Sequence, residues 1–327
     1  MANEKKASLY FCAELNEYFI PKKEIDNGRF IRNPERPSRL KLVLDYIQER
    51  FQEIQPTEFS EEHILKVHSE KYFNYIVKKS QEVDEEYLPE VFFVDPIFDT
   101  GTPIRRETFS AAKRAVDVVL SATKYAIDNK TPTYALTRPP GHHAMTDFGG
   151  GYCYFNNVAI AAKFLEEKGM RIAILDLDFH HGNGTQDIFY KDPNVLYVSI
   201  HGDPKRFYPW FSGYETERGE GKAYGTNLNI PLPGNTDIEM YKEALKRAIQ
   251  KIQDFKSDAL MISLGTDTHV KDPVGKFSLL SQDFKTIGVL ITSSLEIDYL
   301  VIVHEGGYNP KSNLSAVKNF LAGLFGD

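Results

Sequence analysis

Histidines and carboxylates are concentrated in the stretch Asp176-Leu-Asp-Phe-His-His-Gly-Asn-Gly184. Asp178 and His180 are two residues apart in it, and on a strand residues two apart point to the same face. Asp267, at the end of another predicted strand, would add a second carboxylate to this set. Three protein ligands with an open position are typical of catalytic zinc, and the same donors suit ferrous iron. The alternative is a pair of helix-capping aspartates and a buried structural histidine.

Two adjacent histidines, His142 and His143, follow the rigid turn Pro139-Pro-Gly. Because histidine titrates near neutral pH, such a pair beside a metal can serve as general base and general acid. Asp176 and Asn183 are candidates to orient one imidazole each. The alternatives are a polar loop pair, an ion-paired strand-end carboxylate and an asparagine in a Gly-Asn-Gly turn.

Three tyrosines are the remaining candidate catalytic or substrate-binding residues. Tyr308 follows Glu305-Gly-Gly, where glycines allow a sharp bend, and its phenol could donate to a developing oxyanion. The alternative is a tyrosine that closes a loop. Tyr152 and Tyr208 would wall a narrow channel, or pack as ordinary aromatic residues.

These residues follow short apolar runs that alternate with helical patterns. The predicted strands are residues 134–137, 171–177, 195–200, 259–264 and 299–303. The predicted helices are residues 39–51, 61–67, 70–79, 107–129, 157–167, 238–255, 282–295 and 312–324. This alternation predicts one mostly parallel sheet covered on both faces, which binds its ligand at the carboxyl ends of the strands. Residues 88–102 are predicted to form a long loop. His63, His68 and His269 are expected to be structural or surface residues.

Composition narrows the function classes. The chain has 327 residues, a formal net charge of -7 and 42% hydrophobic residues, and without a linker or repeat we expect one domain over residues 1–327. The acidic balance argues against nucleic-acid binding. Two cysteines, Cys12 and Cys153, exclude a disulfide scaffold and fit a reducing, cytoplasmic compartment. Residues 1–20 lack the apolar run of a secretory signal, and no stretch resembles a membrane span.

Five motifs, taken in order, resemble the histone deacetylase superfamily. They are Arg138-Pro-Pro-Gly-His-His-Ala144, Gly151-Tyr-Cys-Tyr-Phe-Asn-Asn157, Asp176-Leu-Asp-Phe-His-His-Gly-Asn-Gly-Thr-Gln186, Ser263-Leu-Gly-Thr-Asp267 and Glu305-Gly-Gly-Tyr308. Asn183 in place of an aspartate, and Glu305 before Gly-Gly-Tyr, resemble the class II and bacterial branch. Within that branch, residues 178–190 and 201–204 are most similar to the acetylpolyamine amidohydrolases.

The resemblance implies an α/β arginase–deacetylase fold, a single three-layer domain around a mostly parallel sheet of about eight strands. It implies zinc at Asp178, His180 and Asp267, with His142 and His143 as the acid–base pair. The other implied roles are orienting partners at Asp176 and Asn183, a carbonyl-polarising phenol at Tyr308 and a backbone acceptor for the substrate amide at Gly151. It also implies potassium near the zinc, held by Asp176, Asp178, His180, Ser199 and Ile200. A second potassium site would involve Phe189, Asp192, Val195 and Thr226.

The expected activity is hydrolysis of an acetyl or other short acyl group from a primary amine, on acetylated polyamines or small acetyl-lysine compounds. A protein lysine deacetylase is the enzymatic alternative, and a catalytically silent acyl-lysine binding module is the alternative from another class. The loop 88–108 is short where the polyamine enzymes carry a long insertion that builds a dimer, so monomer and homodimer both stay open. Val274 is apolar where some relatives carry an acidic gatekeeper. Carboxylates that could meet a distant ammonium are Glu14, Glu17, Glu90, Asp95 and Asp99.

Overall fold

The computed structural model describes residues 9–26, 28–90 and 95–326. The strands in this part of the chain are β1 Tyr10–Glu14, β2 Lys23–Asp26, β3 Arg29–Arg32, β4 Gln52–Ile54, β5 Glu86–Tyr87, β6 Ile104–Arg105, β7 Thr133–Thr137, β8 Ile172–Asp176, β9 Val195–Gly202, β10 Asn227–Leu232, β11 Ala259–Leu264 and β12 Tyr299–His304. The α-helices are α1 Ser38–Gln48, α2 Glu62–Leu65, α3 Glu70–Glu82, α4 Thr108–Asn129, α5 Asn157–Glu166, α6 Asn183–Phe189, α7 Ile238–Phe255, α8 Ser281–Ser294 and α9 Pro310–Phe325.

Eight strands form one sheet in the order β10-β9-β8-β11-β12-β7-β1-β4. Every neighbouring pair in it is parallel. This confirms the predicted single α/β domain with a parallel eight-stranded sheet. The central strands are continuous apolar runs because helices cover both of their faces.

Residues of β8 show how the three layers pack. Ala173 and Leu175 belong to one hydrophobic cluster, with side chains from α1, α7, α8 and α9. Ile172 and Ile174 belong to a second cluster, with side chains from α3, α4 and α5. Since successive side chains of a strand point to opposite faces, these clusters are the two covered faces of the sheet. Two short antiparallel hairpins, β2–β3 and β5–β6, lie outside it.

The structure corrects two local expectations. Strand β8 ends at Asp176, so Asp178 and His180 lie in the following loop and do not share a strand face. The chain bends there because Oδ1 of Asp178 accepts the N–H of His180 at 2.9 Å, and this turn still brings the two side chains together. Asn183 does not lie in a simple Gly-Asn-Gly turn, since it is the first residue of α6.

Several strands were not predicted from the sequence, among them β1, β4 and β10. Strand β10 contains Pro231, which interrupts a strand pattern and is tolerated because β10 lies at the sheet edge. Cys12 and Cys153 are both free and buried. No helix of the described residues is long and apolar enough to cross a membrane. Parts of two predicted segments, residues 1–8 and 91–94, lie outside the described residues.

Candidate active site

The candidate residues meet at the carboxyl edge of the sheet, as predicted from their positions after strands. The neighbouring strands β8, β11, β12 and β7 all end at this edge. The loops that follow them carry Asp178, Asp267, Tyr308 and the pair His142 and His143. All of these except Tyr308, which is half-buried, are almost completely buried.

The predicted metal ligands converge. One donor atom each from Asp178, His180 and Asp267 can be chosen so that all three lie within 4.8 Å of one another. Nδ1 of His180 lies 2.9 Å from Oδ2 of Asp267 and 3.3 Å from Oδ1 of Asp178. Burial and the carboxylate of Asp178 raise the pKa of Asp267 to about 7. A positive charge between these two carboxylates would therefore be favoured.

Two further observations fit a divalent ion at this position. Oδ2 of Asp267 is buried, and although Nδ1 of His180 lies 2.9 Å away, no described residue makes a well-aligned hydrogen bond to it, so a lone pair is left for another partner. The backbone also closes around the carboxylates. A Cβ at Gly306 would lie 2.5 Å from Oδ2 of Asp178 and 2.8 Å from Oδ2 of Asp267. The N–H of Gly306 donates to Oδ2 of Asp178 at 2.8 Å. The donor set and its cradle fit either zinc or ferrous iron.

The two histidines have different partners. Nδ1 of His142 lies 3.0 Å from Oδ2 of Asp176. Nδ1 of His143 lies 2.7 Å from Oδ1 of Asn183, whose amide in turn donates to the carbonyl of His143 at 3.1 Å. The two ring centroids are 4.1 Å apart. The structure thus brings each imidazole against the partner that the sequence proposed, a carboxylate for one and an amide for the other.

These partners give the two rings opposite protonation tendencies. Burial disfavours the charged form of His142, but the carboxylates of Asp176 and Asp178 outweigh it and raise its pKa to about 10. Burial and then the charge of His142 lower the pKa of His143 well below its ordinary value. These shifts favour a proton on His142 and a neutral ring at His143, so the two imidazoles are suited to different roles.

Glu305 fixes the turn that carries these histidines, a contact that the sequence motif did not reveal. Its Oε2 accepts the N–H of Gly141 at 2.8 Å and that of His142 at 3.3 Å. The turn also packs tightly on α5. A Cβ at Gly141 would lie 2.5 Å from the backbone nitrogen of Asn157, so only glycine fits there.

Tyr308 is held by its backbone and by its ring. Its N–H donates to Oδ2 of Asp272 at 2.6 Å, and the next residue, Asn309, caps α9 by accepting the N–H of Lys311 at 3.1 Å. The Tyr308 ring lies 5.4 Å from the guanidinium of Arg39 and 5.6 Å from the Tyr152 ring. The phenol is therefore placed at the start of α9.

Tyr208 and Gly151 lie directly against His143. The Tyr208 ring packs edge-on at 5.0 Å from His143 and at 6.1 Å from His180. A Cβ at Gly151, where φ is +54°, would lie 2.6 Å from Cγ of His143. Asp99 joins the two, because its Oδ2 accepts the Gly151 N–H at 2.6 Å and the Tyr208 hydroxyl at 2.7 Å.

Asp99 was one of five carboxylates that the sequence could not assign, and it lies at the site. Asp95, another of them, accepts hydrogen bonds from the hydroxyls of Tyr75 and Tyr87 and from the N–H of Glu90. The Asp95 carboxylate therefore already accepts three hydrogen bonds from neighbouring residues.

The residues of the implied potassium sites are also neighbours. Ser199 lies opposite Asp176 in the β8–β9 ladder, and its hydroxyl is 2.7 Å from Nδ1 of His201. Ile200 follows in β9. At the second position, the Asp192 N–H donates to the Phe189 carbonyl at 3.0 Å. The Thr226 hydroxyl lies 3.5 Å from the carbonyl of Asp192.

The side chains of His63, His68 and His269 have partners outside the candidate site. The His63 ring packs against Phe59 and Phe164, and Nε2 of His269 lies 3.0 Å from the hydroxyl of Ser281. His68 is buried, with Nδ1 at 2.9 Å from the carbonyl of Met145 and Nε2 accepting the N–H of Asn156 at 2.9 Å. Asn156 caps α5 by accepting the N–H of Ala159 at 3.0 Å. His68 is therefore a structural residue that supports this cap.

Comparison with known proteins gives consistent matches. The family model described as "Histone deacetylase domain" matches residues 33–324. A curated relative, "Acetylpolyamine amidohydrolase 2" of Pseudomonas aeruginosa, is 39% identical over 309 residues, covering 87% of this chain and 89% of the relative. "Acetylpolyamine amidohydrolase" of Mycoplana ramosa is 36% identical, covering 93% and 96%. A crystal structure of acetylpolyamine aminohydrolase from Burkholderia pseudomallei superposes with a TM-score of 0.90 at 32% identity, covering 97% of this chain and 98% of that one.

Proposed function

The chain belongs to the histone deacetylase family, and on that basis we propose that it is a zinc-dependent amidohydrolase of acetylated primary amines. The leading substrates are acetylated polyamines and small acetyl-lysine compounds. One observation carries this proposal. Two adjacent imidazoles, His142 backed by Asp176 and His143 backed by Asn183, lie beside the converging donors Asp178, His180 and Asp267.

The metal and the acid–base pair have separate tasks. Asp178, His180 and Asp267 would hold zinc, with ferrous iron as the alternative, and the ion would polarise the scissile carbonyl and acidify a water molecule. Neutral His143 accepts a proton from the attacking water as its oxygen bonds to the carbonyl carbon. The same ring then gives that proton to the leaving nitrogen as the C–N bond breaks, which yields acetate and a free amine. Cationic His142 stabilises the negative charge that develops.

Other residues position the substrate. The Tyr308 phenol donates to the carbonyl oxygen as it gains charge. The Gly151 carbonyl accepts the substrate N–H, and Tyr152 and Tyr208 confine the slender chain that carries the acetyl group. Asp176, Asp178, His180, Ser199 and Ile200 would hold a structural potassium ion. The whole chain, residues 1–327, would work as one cytoplasmic catalytic domain.

The choice of small amines is supported by the similarity to the two relatives named as acetylpolyamine amidohydrolases. A catalytically silent binding module is disfavoured because binding alone needs neither an acid–base pair nor a phenol at Tyr308. A protein lysine deacetylase is the competing enzyme, and it is favoured by the loop at 88–108, which is short where the polyamine enzymes carry a long insertion.

A specificity panel on the zinc-loaded protein tests the proposal. We expect kcat/KM for acetylputrescine or acetylspermidine to exceed that for an acetyl-lysine peptide, with Tyr308→Phe as the inactive control. A preference for the peptide would assign the chain to the protein lysine deacetylases. Binding of these compounds without release of acetate would assign it to the silent modules.

A further inference from the structure

The lone tryptophan of the chain, Trp210, continues the wall of the site toward solvent. Its indole packs edge-on against the Tyr208 ring at 5.3 Å, and Tyr208 packs against His143 at 5.0 Å. Along this row exposure increases: His143 is buried, Tyr208 is half-buried and Trp210 is 58% exposed. A substrate chain that leaves the acid–base pair along this wall therefore meets the indole next.

The backbone of Trp210 is in an unfavourable conformation for its side chain. Its φ is +60°, in the left-handed region that glycine adopts freely and bulky residues avoid. The conformation is held by two hydrogen bonds. The Trp210 N–H donates to the carbonyl of Phe207 at 3.1 Å, and the Tyr214 hydroxyl donates to the carbonyl of Trp210 at 2.7 Å. Burial does not compensate for the strain, because most of the indole stays in water. Strain of this kind concentrates at functional sites.

The chemistry of the indole face selects a cation. Tryptophan is the aromatic side chain that attracts cations most strongly. Within the described residues, the lysine and arginine groups that lie over aromatic rings lie over other rings, such as those of Tyr46 and Phe164, and none lies over Trp210. The same wall also carries a carboxylate, because Oδ2 of Asp99 accepts the hydroxyl of Tyr208 at 2.7 Å.

We infer that Trp210 is a specificity-determining residue, which binds the ammonium group at the far end of an acetylated diamine or polyamine. This inference rests on the proposed function and deepens it, because it states what the substrate must carry beyond the acetyl group. The contact is remote from the reacting atoms and is made equally in the ground and transition states. It therefore acts on KM and leaves kcat unchanged.

Kinetics on matched substrates test this role. We compare acetylputrescine with N-pentylacetamide, in which a methyl group replaces the ammonium. For Trp210→Leu we expect KM for acetylputrescine to rise about three- to fivefold, with kcat and the values for N-pentylacetamide within about twofold of wild type. Trp210→Phe, which keeps an aromatic face, should recover part of the loss. Tyr224→Leu is the control. Tyr224 is also exposed, but it precedes β10 and so lies toward the amino ends of the strands, away from the carboxyl ends that carry the candidate site.

Fluorescence gives a second readout that does not depend on turnover. The chain contains a single tryptophan, so emission excited at wavelengths where tyrosine does not absorb reports on Trp210 alone. In the metal-loaded Tyr308→Phe variant, acetylputrescine should change this emission with saturation, and N-pentylacetamide should change it much less.

Equal effects of Trp210→Leu on the two substrates, or no effect on either, would overturn the inference while leaving the proposed function intact. Identical emission changes with both ligands would overturn it as well. Wild-type protein that hydrolyses neither of these compounds nor a small acetyl-lysine compound would reject the proposed function, and the role of Trp210 would be rejected with it.

Discussion

Nε of Arg138 donates to Oε1 of Glu35 at 3.0 Å, and both side chains are fully buried. The same carboxylate oxygen accepts Nε of Arg39 at 3.1 Å. Arg138 begins the turn that leads to His142, while Nη1 of Arg39 donates to the carbonyl of Glu305 at 2.8 Å. One carboxylate therefore ties together the turn that carries His142 and His143 and the turn that carries Tyr308. Burial opposes ionisation of Glu35, but the two guanidinium groups outweigh it and lower its pKa.

Replacing Glu35 should therefore destabilise the whole fold. We expect Glu35→Gln to lower the free energy of unfolding by about 3–5 kcal/mol, because two buried guanidinium groups lose their counter-charge. Urea denaturation followed by circular dichroism measures this. Glu215→Gln is the matched control, since its ion pair with Arg247 is exposed on both sides and should contribute at most about 1 kcal/mol. If Glu35→Gln lowered the free energy of unfolding by no more than Glu215→Gln does, Glu35 would not be the counter-charge on which the fold depends.

The metal site makes a stoichiometric prediction. Elemental analysis should find about one transition metal per chain, because Asp178, His180 and Asp267 supply donors for one ion. Asp267→Asn should weaken metal binding by at least the 10–100-fold typical of losing an outer-shell partner, since a neutral amide replaces a carboxylate. Asp187→Asn, at an exposed carboxylate outside the donor set, should retain the metal. Two tightly bound transition metals, or full activity after exhaustive chelation, would show that the assignment is wrong.

Tyr308→Phe should separate catalysis from structure. The ring contacts to Arg39 and Tyr152 and the backbone bond to Asp272 do not use the hydroxyl, so fold and metal content should stay at wild-type levels. The lost donor should reduce kcat by about 10²–10³. Steady-state kinetics with acetylputrescine, alongside Tyr224→Phe as the control, measures the effect. Hydrolysis at the wild-type rate would remove Tyr308 from the mechanism.

The residues of this site that could be predicted from the sequence are those whose positions follow directly from nearby strands. Asp178, Asp267 and His143 each follow an apolar run, and parallel strands bring such positions to one edge wherever the sheet places them. The sequence also predicted a charged partner, Asp176, for one histidine and a neutral partner, Asn183, for the other, because both residues lie within a few positions of Asp178 and His180. Even here the reason was partly wrong, since Asp178 and His180 meet through a turn and not on a strand face.

The supporting contacts could not be predicted because they depend on packing between distant segments. Glu35 and Arg138 are 103 residues apart, and Arg39 reaches the carbonyl of Glu305 across 266 residues. Nothing in the spacing of these residues indicates a contact. Trp210 was missed for another reason. Its left-handed backbone conformation and its exposed ring drew attention to it, and neither property can be inferred from the residue type.

His68 should give the fold part of its sensitivity to acid. Burial lowers its pKa to about 4, whereas an unfolded histidine titrates near 6.5. Between these values the unfolded chain binds more protons, so stability rises with pH there and is lost as the pH falls from about 6.5 toward 4. Protonation would also break the hydrogen bond in which Nε2 of His68 accepts the N–H of Asn156.

His68→Gln tests this assignment, because glutamine cannot take up the proton. At pH 7 the variant should be less stable than wild type, since the ring packs against Tyr72 and Phe155 at 5.5 Å. By pH 4.5 that deficit should shrink by about 2–3 kcal/mol. Carboxylates that titrate in the same range do so in both proteins, so the difference between the two unfolding free energies isolates His68. A deficit that is constant with pH would show that His68 does not titrate on unfolding.

The two active-site histidines should not be equivalent. His143 is paired with the neutral amide of Asn183, so its ring can gain and lose a proton in each cycle, whereas His142 is held in its charged form by the carboxylate of Asp176. We expect His143→Ala to be the slower variant, with a loss in kcat at the upper part of the about 10²–10⁴ range for a general acid–base group. His142→Ala should lose less, because it removes a charge and not the proton carrier. Both variants should keep near wild-type metal content, which elemental analysis checks beside the kinetics. Equal small losses, the reverse order of rates, or loss of metal in either variant would reject this division of labour.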